Sequence, residues 1–252
     1  MQTTNRRISV FGAIAVAAIG LAACGGSGGE TVARVEGVGS ISKASLEHWI
    51  PVEAVVLYQE YPKSPVPKGV IPDPPDYAAC VAYSKSTPQQ PVERGPKPSA
   101  VQLKSKCRQK SHELKELTLN TLIAWDWTIA AGKALGMHAS DAEVRQRLQE
   151  VSKREFPKPG EFARYLKLTG QTIPDMLFRT RVQVYEQKLI DKLTAIKTLK
   201  GLTAQQRRAA LVKFNENLPP NKQWAAKTTC SKGYVVSACK EYTGSQPPAI
   251  PN

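Results

Sequence analysis

The sequence predicts a mainly helical domain with a short β element near its N-terminal end and a small disulfide-stapled β-hairpin near its C-terminal end. Three observations predict it. Apolar residues recur at helical spacing in long stretches after Ser42. Capping residues precede those stretches, and Gly or Pro follows them. Four cysteines, Cys80, Cys107, Cys230 and Cys239, bracket two local segments.

Residues 31–41 alternate apolar and polar side chains around Gly37 and Gly39, the pattern of a short β-hairpin or a strand and turn. Ser42 stands where an N-cap belongs, ahead of a helix carrying Leu46, Trp49, Ile50, Val55 and Leu57. Pro51 inside that pattern predicts a kink or a late restart. Residues 61–98 hold ten prolines, so they form a long excursion rather than a helix or central strand, with room for a short helix from Tyr77 to Tyr83.

From Ser99 to Leu135 the helical signal is strong. Its first half is polar, and its second is apolar on nearly every face, with Leu117, Leu119, Leu122, Ile123, Trp125, Trp127 and Ile129, as in a buried helix. Asn120 and Asp126 argue against a membrane span there. Gly136 stops the helix, and Ser140 with Glu143 forms a capping box for the next, whose stripe is Val144, Leu148 and Val151. Pro157 and Pro159 end that one. A short helix with Phe162 and Tyr165 closes at Gly170, and Pro174 opens another in its first turn. This long helix carries the stripe Phe178, Val182, Tyr185, Leu189, Leu193 and Ile196. A last helix begins near Thr203 and stops at Pro219-Pro220. Lys227 to Cys239 reads as a hairpin turning at Ser231-Lys232-Gly233, and residues 243–252 read as a disordered tail.

Ahead of these elements, Arg6 and Arg7 precede a 16-residue apolar run, Ile8 to Ala23, which is short for a membrane-spanning helix of ~20 residues and has the makeup of an export signal. It ends in Leu21-Ala22-Ala23-Cys24, which resembles the bacterial lipobox. That resemblance implies that Cys24 receives a diacylglycerol and anchors the chain to a membrane at its extracytoplasmic face. Gly25 to Glu30 then form a flexible tether. Gly25, Ser27 and Gly29 match the spacing of a hydrolase nucleophile elbow, but that turn needs a strand before it and a helix after it, so Ser27 is no nucleophile.

The formal charge is +14, or +12 once Arg6 and Arg7 are removed with residues 1–23. A basic surface suits nucleic acid, anionic headgroups or acidic clients, and an exported lipoprotein rarely meets nucleic acid. The cations are scattered rather than blocked, as on a solvated surface. In an oxidising compartment four cysteines suggest two disulfides, and local bracketing favours Cys80–Cys107 and Cys230–Cys239 among the three possible pairings. No C-x-x-C spacing exists, and of His48, His112 and His138 only His112, five residues after Cys107, stands near a cysteine in sequence, which argues against a metal site. No phosphate-binding glycine loop or nucleophile–base pair stands out, so neither a catalytic residue nor a cofactor is expected.

Leu135-Gly136 followed by the capped helix from Ser140 to Val144, with Val32 to Gly37 leading to Ile41-Ser42-Lys43, then Phe162 to Gly170 and Asp175 to Leu189, resembles the N-terminal helical region of SurA-like and PrsA-like exported foldases. The resemblance covers roughly residues 31–50 and 117–199, and Thr228 to Cys239 looks like the end of exported members of that group. It implies a single helical chaperone domain over residues 31–242, binding unfolded or extended exported polypeptides. A parvulin prolyl isomerase domain usually follows in that family. Here 53 residues follow Leu199, and all three histidines lie at or before His138, so isomerase activity is not expected.

Within this resemblance Trp125, Trp127, Phe178 and Tyr185 are the candidate client-binding side chains. Trp125 and Trp127 face opposite sides of their helix, so one can reach a surface while the other packs the core. A non-catalytic envelope protein that keeps the fold without binding clients is the competing class. A broad exposed apolar groove would favour the chaperone. A compact polar-rimmed pocket would favour small-ligand binding.

Overall fold

The computed structural model describes residues 29–60, 62–87, 98–198, 203–215 and 222–244, and Cys24 and the tether residues 25–28 lie outside that range. The architecture is mainly helical with one small antiparallel sheet.

Strands β1 (Thr31–Val35) and β2 (Gly39–Ser42) form the expected hairpin, with a bulge between Thr31 and Ala33. Ala33 and Val35 are buried while Arg34 between them is exposed, so the sheet has one face in the core, and Val32 is buried as well at the bulge. Helix α1 (Lys43–Tyr58) starts on Ser42, whose hydroxyl accepts from the Ser45 amide at 3.0 Å. The helix does not restart after Pro51, and α1 runs through it. Pro51 and Glu47, whose carbonyl the missing amide leaves free, both sit on the exposed face, where water can serve that carbonyl.

The proline-rich excursion is held at three points. Asp73 accepts from the Ala79 and Cys80 amides, both at 2.9 Å, and so caps α2 (Ala78–Ser86). These backbone hydrogen bonds hold the Asp73 carboxyl below its usual range. The Arg164 guanidinium donates to the Lys63 carbonyl. Cys80 is bonded to Cys107 on α3 (Ala100–Ala134).

That disulfide, with Tyr77 and Val81, makes a small apolar cluster separate from the rest of the core, and α2 packs chiefly on α3. Its effect is therefore local. Reducing the Cys80–Cys107 bridge is expected to open the segment around residues 62–98 to protease cleavage at least tenfold faster, while fragments carrying the main core survive. Limited proteolysis with and without reductant tests this, and equal cleavage rates would refute it.

Helix α3 begins with a full capping box, Ser99 with Gln102, and its second half is the spine of the molecule. Leu119, Leu122, Ile123, Trp127 and Ala131 join Val32, Val35, Leu46, Trp49 and Val52 in the main core. Gly136, at φ 74°, gives the left-handed turn that ends this helix. Helix α4 (Asp141–Glu155) starts on the Ser140 hydroxyl, but Glu143 does not close the expected capping box and pairs with Lys188 at 2.9 Å instead. Helices α5 (Glu161–Thr169) and α6 (Ile173–Thr198) follow.

Asp175, in the first turn of α6, is buried and accepts from the Thr172 amide and hydroxyl, both at 2.7 Å. His48 Nε2 lies 3.0 Å from the same carboxylate oxygen, which ties α1 to the start of α6. Helix α7 (Ala204–Asn215) and the short α8 (Lys222–Ala226) complete the helices.

The C-terminal segment departs from expectation. It supplies one strand, β3 (Thr228–Cys230), which pairs antiparallel with β1 to give the order β2-β1-β3. Ser231 to Cys239 turns without pairing back on β3. Asn120 Oδ1 accepts from the Ser237 hydroxyl and the Ala238 amide, and the Cys230–Cys239 bridge closes the loop. On the edge of β3 away from β1 the returning chain supplies two bonds, the Lys240 amide donating to the Thr228 carbonyl at 2.8 Å and Glu241 accepting from the Cys230 amide at 3.0 Å, while Asn120 on α3 holds the loop between them.

Candidate functional site

Polar and aromatic side chains meet at one cavity of about 310 Å³ between β2, α1, α3 and α6. Each helix contributes a single face. Leu122, Asp126, Ile129 and Lys133 come from α3 at spacings of four, three and four, and Phe178, Arg181 and Tyr185 come from α6 at three and four. Ser45 and Trp49 come from α1, and Val38 to Ile41 form the wall at β2. His138, Ala139 and Asp141 close the rim.

The wall is aromatic. Trp49 meets Trp125 edge to face with ring centroids 5.2 Å apart, Trp125 meets Phe178 at 5.8 Å, and Trp49 meets Phe178 at 6.4 Å. The Arg179 guanidinium lies 5.7 Å from the Trp125 ring centroid. Tyr185 is 2% exposed and rests on Gly132, where an added Cβ would fall 2.2 Å from the tyrosine ring. Only glycine lets α3 and α6 approach this closely.

Of the four client-binding candidates, Phe178 and Tyr185 line the cavity and half-buried Trp125 backs its wall. Trp127 does not belong with them. It points to the opposite side of α3, is 1% exposed, and its indole N–H donates to the buried Thr228 hydroxyl at 2.8 Å. Sequence reasoning passed over Trp49, Asp126 and Arg181 as site residues. The signal for Asp126 was its spacing, since it shares a helix face with Leu122 and Ile129 inside an otherwise apolar stretch.

The charges in the cavity are not equivalent. Asp141 and Arg181 pair with each other at 2.5 Å, and Lys133 and His138 are exposed. Desolvation pushes the Asp126 carboxyl up to about 6, against a smaller opposing pull from Lys133. The Arg181 Nε is buried with no acceptor among the described residues.

Two other clusters resemble chemical sites and are not arranged for chemistry. Thr172, Asp175 and His48 include the residue types of a triad, but the threonine hydroxyl and the imidazole both meet Asp175 Oδ2, so the hydroxyl is not delivered to the far nitrogen of the ring. Cys230, Cys239 and Glu241 lie close together, yet the sulfurs are bonded to each other and offer no thiolate, while Glu241 accepts from the Cys230 amide. Among the described residues no helix is long and apolar enough to cross a membrane. No family model, curated protein or solved structure matches the chain.

Proposed function

We propose that this chain is a lipid-anchored extracytoplasmic protein that binds extended segments of unfolded exported polypeptides without ATP. The reading joins the lipobox at Cys24 and the likeness to SurA-like and PrsA-like foldases to one structural observation, the cavity walled by Trp49, Phe178 and Tyr185. Aromatic walls suit varied clients because burial of apolar surface is non-directional, at about 25 cal/mol per Å². The cavity volume matches one or two side chains, so a client is gripped at intervals and not along a continuous groove. Among the described residues the large exposed apolar side chains are scattered, Leu57 and Tyr58 on α1, Val101 on α3, Ile173 and Ile190 at far ends of α6, Val212 on α7 and Tyr242 near the C-terminal end, and they supply no such groove.

The full chain at stoichiometric ratio is expected to suppress light scattering when a chemically denatured client is diluted into buffer. Phe178→Ala is expected to weaken that suppression several-fold, in keeping with the loss of about 1 kcal/mol or more of aromatic contact. Scattering equal to that with an inert control protein, across several unrelated clients, would overturn the reading. The anchor is tested separately. Cys24→Ala is expected to abolish incorporation of radioactive fatty acid in cells, and equal labelling of variant and parent would refute it.

A second reading is the one the cavity by itself favours, because it is compact and polar-rimmed and the described residues form no broad apolar groove. The size of the cavity, near the lower end of the roughly 300–1,000 Å³ usual for ligand pockets, and its polar rim suit a small-ligand-binding envelope protein.

A further inference from the structure

One carboxylate lining this cavity has no hydrogen-bond donor, and one guanidinium N–H beside it has no acceptor, among the described residues. Among the described residues no donor hydrogen-bonds the Asp126 carboxylate, and Lys133 acts on it only through space. The Arg181 Nε–H is buried and has no acceptor there. Other charges at the rim do not fill these roles. Asp141 is taken up by the Arg181 Nη2, and His138 is exposed. The walls from β2 and α1 contribute no charged lining side chain. Buried polar atoms without partners are uncommon in folded proteins, and a carboxyl raised by desolvation in a cleft marks a candidate ligand contact.

An extended polypeptide carries what Asp126 lacks. A basic side chain would bring Asp126 a charge-assisted hydrogen bond, stronger than a neutral donor can give. The apolar part of the same segment would cover Phe178 and Trp49, beside Asp126 on the cavity wall.

We infer that the cavity selects segments in which an apolar side chain neighbours a lysine or arginine, the apolar group lying on the aromatic wall and the cation on Asp126. This rests on the client-binding reading above, and it adds a rule for which segments are held.

The test uses the full chain in detergent micelles and fluorescein-labelled decapeptides of Gly and Ser with one central pair: Phe-Lys, Phe-norleucine, Phe-Glu or Ala-Lys. Fluorescence anisotropy at pH 7.5 is expected to rank Phe-Lys about tenfold tighter than Phe-norleucine, the size of one hydrogen bond to a charged group, with Phe-Glu and Ala-Lys weaker still. Asp126→Asn is expected to bring Phe-Lys to within about twofold of Phe-norleucine. The peptide comparison on the parent protein needs no variant, so a folding defect cannot mask the answer.

Equal binding of Phe-Lys and Phe-norleucine by the parent would overturn the selection rule and leave client binding standing. A lysine preference that persists in Asp126→Asn would also overturn it. If no peptide binds and client aggregation is not suppressed, the client reading falls and the rule falls with it. If free phenethylamine binds as tightly as Phe-Lys, the occupant is a small amphiphilic amine, and the polypeptide rule is likewise refuted.

Discussion

Trp127→Ala is expected to lower the free energy of unfolding by about 4 kcal/mol, the usual range for truncating a fully buried tryptophan being 3–5. Trp127 is among the largest fully buried side chains, at 1% exposure, and it packs in the core with Val32, Val35, Leu119 and Ile123. It also joins the two ends of the fold. Its indole N–H donates to Thr228, which opens β3, and the Thr228 hydroxyl donates to the Trp224 carbonyl on α8 at 2.9 Å.

Alanine removes both the packing and the donor. Trp127→Phe keeps most of the packing and removes only the donor, so its expected cost is about 1–2 kcal/mol. Urea unfolding followed by circular dichroism reads both values, with an unchanged slope showing that the native state was the one perturbed. A cost below about 1 kcal/mol for the alanine variant would show that the helix–strand clamp is not a main support of the fold. Because Trp127 faces away from the cavity, Trp127→Phe is expected to bind peptides like the parent.

The parts of this fold that sequence reading reached are those set by neighbours in the chain. Ser42, Ser99 and Ser140 each announce a helix through a hydroxyl that serves an amide three residues on, and that signal is local. The β1–β2 hairpin and the two disulfides are local as well.

The misreadings came from long-range competition. Thr228 to Cys230 has the residues of a strand, and nothing nearby in the sequence says that its partner is Ala33 to Val35, nearly 200 residues earlier. Asn120 read as a polar residue in a buried helix, and it proves to hold the C-terminal loop. Glu143 had the spacing of a capping box, and Lys188 on another helix outbid the Ser140 amide for its carboxylate.

The cavity was legible only as separate stripes. Phe178 and Tyr185 were visible on one helix, but their meeting with Leu122, Asp126 and Trp49 depends on how α1, α3 and α6 cross.

Asp126→Asn is expected to make the protein more stable at pH 7.5, by about 2 kcal/mol. The sign follows from the protons. The Asp126 carboxyl titrates near 6 in the folded chain, above its ordinary value of 3.8, because burial disfavours its charge. Between roughly pH 4 and 6 the folded state therefore holds a proton that the unfolded state has lost. Unfolding then becomes easier as pH rises through that window, and the loss is complete above the folded value. A shift of about two units corresponds to about 3 kcal/mol, reduced here because the carboxyl lines an open cavity and an uncharged amide there still lacks hydrogen-bond partners.

Thermal unfolding from pH 4 to 8 should show the parent losing stability across the window and the variant losing less. The two should converge at pH 4, and at pH 7.5 the variant's midpoint should be higher by about 4–8 °C, from the 2–4 °C per kcal/mol usual for chains of this size. Parallel pH profiles would show that Asp126 is solvated in the folded protein, and the argument for an unsatisfied carboxylate would fail. A stability gain together with lost lysine preference would mean that the core tolerates this charge for what it binds, because functional groups are often kept at a cost to the fold.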